Sequence, residues 1–437
     1  MGENLKNLKE IELHVSIPKY LRPVVEKLLK IGEITAKIFV TQAEKRYGNF
    51  NINDSRHSNA ENVMTVGEEE PKEVSYHEYF NDELNQVISL LESTGMPYFK
   101  DVANALKHKD DTDFLKLKTI LYKSREIIHI FFGPFEQYDD PRHIRTSFQF
   151  DALLRSDRYE KVRKIFDNAD YNEWIPEEFR MPLKNTPNFF IGDLFASGGW
   201  HQERIPMAQV LPNEPSIRRE YGTMITVYAN TAEAKTKNVI IPIARAILGF
   251  GIDEENAKKV TVYNSLAHEI MHTVGRKREN YSDLPQHLTF EEGKAMSGAM
   301  VCLHEIGKSA PEMRDIVNTK IQLDLTDHVR YVLNGIDNFA YGAYSSYALS
   351  QLRNGGAISI NETSIKIIDK ERYITVTKEL QRKMLEVVAN KNKEVYDEVL
   401  KEMKSFWDSN VLGGVVEKIQ QLKIPKDISP KFKIEFI

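Results

Sequence analysis

The chain has 437 residues, of which 41% are hydrophobic and 28% are charged, a balance typical of globular proteins. Its net charge of −5 is small for this length and argues against a protein that binds nucleic acid through clustered lysines and arginines. The single cysteine, Cys302, excludes an internal disulfide framework and a cysteine-rich zinc module.

The first part of the chain is predicted to be mainly helical. Apolar residues at helical spacing predict a long amphipathic helix over 20–47 and further helices over 77–124. The apolar run from Ile127 to Phe132 predicts a buried strand that ends at the Gly133-Pro134 pair.

Strong helical periodicity returns after a loop-rich middle region, in which Met224 to Tyr228 predicts a strand. Further helices are predicted over 255–310, 322–353 and 373–408, with a small hairpin at 357–369. The sequence therefore predicts an α+β fold that is predominantly α-helical.

No segment has the pattern of a membrane anchor. The N-terminus lacks the continuous apolar core of a signal peptide, and the most apolar stretch, Val239 to Ile252, is interrupted by Pro242 and Arg245. We therefore expect a soluble protein in the cytoplasm that binds neither membranes nor nucleic acid.

A possible metal site is the clearest chemical signal. His268 and His272 are four residues apart, a spacing that places both imidazoles on one face of a helix. Glu269, between them, is rotated off that face and is placed to take a proton from a metal-bound water. The helix carries an apolar stripe and is predicted to end near Gly275. Two helical histidines can also be ordinary surface or core residues, so a third ligand is needed.

Glu292 is the candidate third ligand. It lies on an otherwise apolar stripe of a helix predicted to open at Thr289, and a buried glutamate needs a cation or another partner. The alternative is a capping box in which Thr289 caps the helix and Glu292 is its partner. Glu291 points elsewhere and is the weaker ligand candidate. Two histidines, one glutamate and an open position are typical of a catalytic zinc site.

These residues resemble a known family. The segment from His268 to Gly275, followed by Glu291-Glu292-Gly293-Lys294-Ala295, is similar to the zinc motifs of the dipeptidyl peptidase III family. The shorter bacterial and plant-type members have the same uninterrupted HExxH motif. Two upstream segments, from Gly133 to Asp140 and from Leu211 to Glu214, also resemble the family and stand in the expected order.

The resemblance implies two lobes separated by a wide cleft. Residues 1–240 would form a mixed helical and β lobe with substrate-binding segments. Residues 241–437 would form a mainly helical catalytic lobe that carries the zincin-like HExxH helix and one Zn²⁺. By similarity, Glu136 would bind the free amino group of a peptide, Tyr138 would stabilise the oxyanion, and Asn213 would hold the peptide backbone.

Three positions depart from the family pattern. An acidic residue is usual four positions after the zinc glutamate, where this chain has Met296. An asparagine is usual three positions before Asn213, where Val210 stands. A histidine is expected where Tyr341 aligns, so Tyr341 is a candidate substrate-binding residue.

The sequence therefore predicts a zinc metallopeptidase that cleaves short peptides near the free N-terminus, with Glu269 as the base. One alternative is a metallohydrolase or amidase that acts on a non-peptide substrate. The other is a protein of weakened activity that binds a peptide or a partner. The retained Glu269 favours an enzyme, because a protein that only binds has no need of a base.

Overall fold

The computed structural model describes residues 8–47, 80–108, 127–136, 145–181, 187–199, 201, 205–211, 222–249, 251–276, 284, 286–309, 314–333, 335–336 and 340–437. The helices of these residues are, in chain order, α1 Arg22–Tyr47, α2 Asn81–Ser93, α3 Pro97–His108, α4 Glu160–Asp167, α5 Ala229–Lys235, α6 Ile241–Leu248, α7 Glu254–Thr273, α8 His287–Ser309, α9 Arg314–Val332, α10 Ala340–Asn354, α11 Lys370–Asn390, α12 Lys393–Asp408 and α13 Gly413–Gln421. The strands are β1 Leu8–Ile17, β2 Ile128–Glu136, β3 Arg145–Arg155, β4 Asn188–Gly199, β5 Ala208–Leu211, β6 Met224–Tyr228, β7 Ile358–Ile360, β8 Ile365–Ile367 and β9 Asp427–Phe436.

The chain divides into two compact units. The first contains Met1–Glu160, Lys184–Thr231 and Ile428–Ile437. The second contains Lys161–Leu183 and Ala232–Asp427. The sequence had suggested one division, between 240 and 241. The final strand belongs to the first unit because β9 pairs with β1.

The first unit is built around a mixed five-stranded sheet in the order β2-β3-β4-β6-β5. The strands β4 and β6 are parallel, and the other neighbours are antiparallel. The long helix α1 packs against β3 and β4. Gly32 of α1 and Gly198 of β4 permit this close approach, because a Cβ on Gly198 would collide with the Gly32 carbonyl oxygen. The predicted helix over 20–47 and the strand at Met224 to Tyr228 are confirmed.

The strand predicted from Ile127 to Phe132 is longer than expected. It begins at Ile128 and runs through Gly133 and Pro134 to Glu136, still paired with β3. The expected stop at Gly133-Pro134 is therefore wrong. In the described sheet β2 is an edge strand with a neighbour on one side. A proline is tolerated there because its missing N–H need not break the hydrogen bonds to that neighbour.

The second unit is helical, and α8 lies at its centre. This helix packs against α7, α9, α10 and α11. Eighteen of its 23 residues are buried, including polar ones. The predicted hairpin is confirmed as β7 and β8, which pair antiparallel. The α+β, predominantly helical fold is confirmed. Within the described part of the chain, no helix combines the length and the apolar character needed to cross a membrane.

Candidate functional site

The helix α7 carries the two candidate histidines near its C-terminal end. It begins after Asp253, whose side chain accepts a hydrogen bond of 2.6 Å from the backbone N–H of Asn256. One face is anchored by Val262, Leu266 and Ile270, none of which is exposed. The helix ends at Thr273, two residues before the predicted stop at Gly275, which has a positive φ of 82°. This placement leaves His268 and His272 in the last two turns, with their rings largely buried.

Glu292 lies within α8, which begins two residues before the predicted start. The first helical residue is His287, so Thr289 is a buried residue of the helix and not its N-cap. The capping box is therefore wrong. The residue before the helix, Gln286, has a positive φ of 53°, and this turn sets the start of the helix. Glu292 therefore has no capping role, and its side chain is only 10% exposed.

Three donor atoms meet between α7 and α8 at distances that suit a tetrahedral metal ion. The Nε2 atoms of His268 and His272 are 3.1 Å apart, and Oε2 of Glu292 lies 3.2 Å from the first and 3.5 Å from the second. Three ligands bound about 2.1 Å from one tetrahedral zinc ion lie roughly 3.4 Å from each other. The three residues form the metal-ligating group found among the described residues.

The state of Glu292 also fits a bound cation. Its Oε2 atom is buried and has no hydrogen-bond partner of good geometry. A buried carboxylate oxygen without a hydrogen bond is costly, and coordination of a cation would compensate this cost. The donor set and the geometry therefore fit a catalytic His₂Glu zinc site.

Glu291 holds His272 in the required tautomer. Its Oε1 atom lies 3.0 Å from Nδ1 of His272 and 3.0 Å from Nζ of Lys294, and both Glu291 and Lys294 are almost completely buried. Because a carboxylate accepts, Nδ1 of His272 donates, and its Nε2 is directed to the metal site. Glu291 is thus an orienting partner of a ligand. The sequence offered one signal for this role, namely a second acidic residue beside Glu292.

Charge at the site follows from this packing. Burial alone would lower the pKa of His272, but the carboxylates of Glu292 and Glu291 outweigh burial and raise the pKa to about 9. Burial would raise the pKa of Glu292, but the positive charge of His272 and the close approach of both histidine rings to the carboxylate lower it well below its usual range. His272 and Glu292 together therefore favour a positive charge between them, carried either by a proton or by a metal ion.

Tyr341 is brought to the same site by the first turn of α10. Its phenol hydrogen-bonds the Glu292 carboxylate, and its ring stacks beside His268 with centroids 6.2 Å apart. Burial raises the pKa of Tyr341 well above its usual value, and the charges of Glu292 and Glu269 add to this shift. Glu269 itself is half-buried on α7. The structure thus brings five of the predicted site residues together: His268, His272, Glu292, Glu269 and Tyr341.

The remaining predicted residues belong to the first unit. Tyr138 and Asn213 lie outside the described residues. Glu136 ends β2, and its side chain also lies outside the described part. Two residues that depart from the family pattern pack as ordinary apolar side chains: Met296 is buried in α8, and Val210 is buried in β5.

Comparisons with known proteins identify the fold and one distant relative in sequence. No protein-family model matches the chain. Nudix hydrolase 3 of Arabidopsis thaliana is 21% identical over 322 residues, which cover 70% of this chain and 41% of that protein. The chain therefore spans less than half the length of that relative.

Two solved structures superpose on almost the whole chain. One is DPP III from Caldithrix abyssi, with a TM-score of 0.77, 16% identity and 99% of each chain covered. The other is dipeptidyl-peptidase III from Corallococcus sp. strain EGB, with a TM-score of 0.73, 16% identity and 97% and 95% of the two chains covered. The resemblance seen in the sequence is thus confirmed at the level of structure, and the chain has the fold of dipeptidyl peptidase III.

Proposed function

We propose that the protein is a zinc-dependent metallopeptidase that hydrolyses short peptides near their free N-terminus. The observation that carries the proposal is the meeting of His268, His272 and Glu292 at the separations of a tetrahedral site. One zinc ion per chain would be held by these three residues. When bound, the ion would supply a Lewis acid that polarises the scissile carbonyl and makes water more acidic.

The remaining steps belong to side chains of this protein. Glu269 directly follows the first ligand, His268, in the HExxH pattern, and its carboxylate would take a proton from the attacking water. It then passes this proton to the leaving amine nitrogen. The burial of the ligands His268 and Glu292 would limit competing water and strengthen these interactions.

Substrate recognition is proposed from the family resemblance and from chemistry. A carboxylate at Glu136 would select an ammonium terminus, Tyr138 would donate to the oxyanion, and Asn213 would hold the peptide backbone. Tyr341 would act at the metal site, where its phenol hydrogen-bonds the ligand Glu292. The fold shared with two dipeptidyl peptidase III structures supports a peptide as the substrate class.

The test separates metal binding from turnover. Glu269→Gln keeps the shape of the side chain but removes the base, so we expect full zinc content and no hydrolysis of dipeptidyl fluorogenic substrates. The matched control is Glu255→Gln, an exposed position in the first turn of the same helix. Wild-type rates in Glu269→Gln would exclude Glu269 as the base.

A second candidate is a metallohydrolase or amidase with another substrate, which the name of the Arabidopsis relative favours. A panel of dipeptidyl and aminopeptidyl substrates distinguishes the two candidates. Zinc-loaded protein that cleaves none of the panel would favour the second. A third candidate, a peptide-binding protein of weakened activity, is favoured by Met296 and Tyr341. Calorimetry with peptides would support it if binding were unchanged after zinc removal.

A further inference from the structure

The two histidine ligands are supported differently. His272 has a buried carboxylate, Glu291, on its Nδ1 atom. Among the described residues, none makes a hydrogen bond to Nδ1 of His268, whose contacts with polar groups are made through Nε2. Met296 stands where an acidic residue would have been expected to help. A ligand ring that is held in place binds a metal more tightly than one that rotates, so contacts on the faces of the His268 ring bear on metal affinity.

A column of stacked groups ends on that ring. Arg330, Tyr331, Tyr341 and His268 follow one another, and we call these four residues the aromatic column. The guanidinium carbon of Arg330 lies 4.3 Å from the centre of the Tyr331 ring. The Tyr331 and Tyr341 rings are 4.8 Å apart and 29° from parallel. Tyr341 and His268 follow at 6.2 Å and 24°. Such contacts are attractive and are directional because of the charge distribution of the rings.

The far end of the aromatic column is anchored. Arg330 is buried, and its Nε lies 3.1 Å from Oδ1 of Asp327 one turn earlier in α9. Asp427 adds a second negative charge near this guanidinium, and it is itself paired with the buried Lys235 at 2.9 Å. A buried, paired arginine has little freedom to move, so it fixes the first ring of the column.

The near end of the column reaches a second ligand. The phenol of Tyr341 hydrogen-bonds Glu292, while its ring packs on His268. One residue therefore contacts two of the three metal ligands, and each ligand comes from a different helix. A shift of Tyr341 would displace both ligands together.

We infer that the aromatic column positions His268 and Glu292 for metal binding, with Tyr331 and Arg330 as positioning residues and Tyr341 as the link to the ligands. This inference rests on the proposed metal centre and extends it to residues that do not touch the metal. It predicts that the protein tolerates Met296 because stacking replaces the missing carboxylate.

The experiment compares zinc affinity, measured by competition with a chromophoric chelator, in four variants. Tyr331→Phe keeps the stack and is expected to retain wild-type affinity. Tyr331→Leu removes the stack and is expected to weaken zinc binding by about 10-fold or more, as loss of a ligand's supporting group typically does. Tyr341→Phe removes only the hydrogen bond to Glu292, and a loss of about 10-fold is expected. Tyr171→Leu is the control, because Tyr171 is a buried tyrosine of the same unit whose ring packs on Trp174 at a tilt of 41°, outside the column.

The visible spectrum of cobalt-substituted protein supplies a readout that general destabilisation does not change. The ligand-field bands are expected to shift in Tyr331→Leu and Tyr341→Phe but not in Tyr331→Phe or Tyr171→Leu. Unchanged affinity and spectrum in both Tyr331→Leu and Tyr341→Phe would overturn the inference. Should Tyr331→Leu not fold, Tyr331→Met, which has no ring but fills an apolar site adaptably, decides by the same criterion.

These measurements distinguish a failure of the proposed peptidase from a failure of the aromatic column. Wild-type protein that binds zinc tightly but cleaves no peptide would refute the proposed peptidase and leave the column testable. Variants that bind zinc normally would refute the column and leave the peptidase intact.

Discussion

The Nε2 atoms of His268 and His272 face each other at 3.1 Å, with Oε2 of Glu292 within 3.5 Å of both. Two ring nitrogens at this distance can share a proton in a hydrogen bond or bind one metal ion between them. The nearby carboxylates favour a positive charge there, and the donor set matches the one that zinc prefers in hydrolases. A proton and a metal ion therefore compete for this position.

Zinc affinity should increase with pH. In the metal-free protein the pKa of His272 is raised to about 9, so the ring is protonated at neutral pH and must lose this proton to bind zinc. The apparent affinity should therefore rise about tenfold per pH unit between about pH 7 and about pH 9, and then level off. Calorimetry in two buffers of different ionisation enthalpy should show release of about one proton at neutral pH. A pH-independent affinity over this range would contradict the account.

Loss of the Glu291 charge should weaken metal binding without altering the ligands. Glu291→Gln removes the anion that fixes Nδ1–H of His272, and zinc affinity should fall by about 10-fold or more. The control is Glu305→Gln on the same helix, where the carboxylate pairs with Lys308 and Lys378 near the surface. Equal zinc affinity in the two variants would show that Glu291 has no orienting role.

The close packing around Glu292 gives a prediction on stability. A Cβ on Gly293 would collide with the buried Tyr344 ring and approach Sδ of Met384 to 2.8 Å. Overpacking costs about 1 to 3 kcal/mol, while alanine in a helix gains at most about 1 kcal/mol over glycine. Gly293→Ala should therefore lower the free energy of unfolding by about 1 to 2 kcal/mol in urea titrations.

The control for this variant is Gly251→Ala. A Cβ at Gly251 would meet nothing within 4 Å, so a change within about 0.5 kcal/mol is expected. A Gly293→Ala protein as stable as the wild type would mean that Tyr344 and Met384 can move aside at no cost.

Local periodicity was sufficient to predict α7 from the sequence. Its apolar stripe, its end near Gly275 and the shared face of His268 and His272 depend on residues within a few turns of one another. Glu292 could be proposed as a ligand for the same reason, because a carboxylate on an apolar stripe requires a partner. The helical class and the small hairpin follow from the same kind of local signal.

Features that depend on distant residues could not be predicted in this way. The start of α8 is set by the turn at Gln286, and β2 extends past Pro134 because it pairs with β3, a distant segment, and because an edge strand of the described sheet tolerates a proline. The pairing of β1 with β9 joins the two ends of the chain. The contact of Tyr331 with Tyr341 depends on how α9 packs on α10. None of these relationships produces a periodic pattern of apolar residues from which it could be predicted.

Zinc should also stabilise the folded protein. A ligand that binds only the folded state at about 100 times its Kd adds about 2.7 kcal/mol to the free energy of unfolding. Wild-type protein should therefore melt at a higher temperature with zinc than with a chelator, as measured by calorimetry. His272→Ala should melt at the same temperature in both conditions. A zinc-dependent shift in His272→Ala equal to that of the wild type would place the bound metal elsewhere.

The central claim is that His268, His272 and Glu292 hold one metal ion, and elemental analysis of purified protein tests it most directly. The account predicts about one zinc ion per chain in the wild type and in Glu269→Gln, and loss of this metal in His272→Ala and Glu292→Gln. Wild-type protein that cannot be loaded with metal, or a His272→Ala protein that retains the full stoichiometric amount, would contradict it.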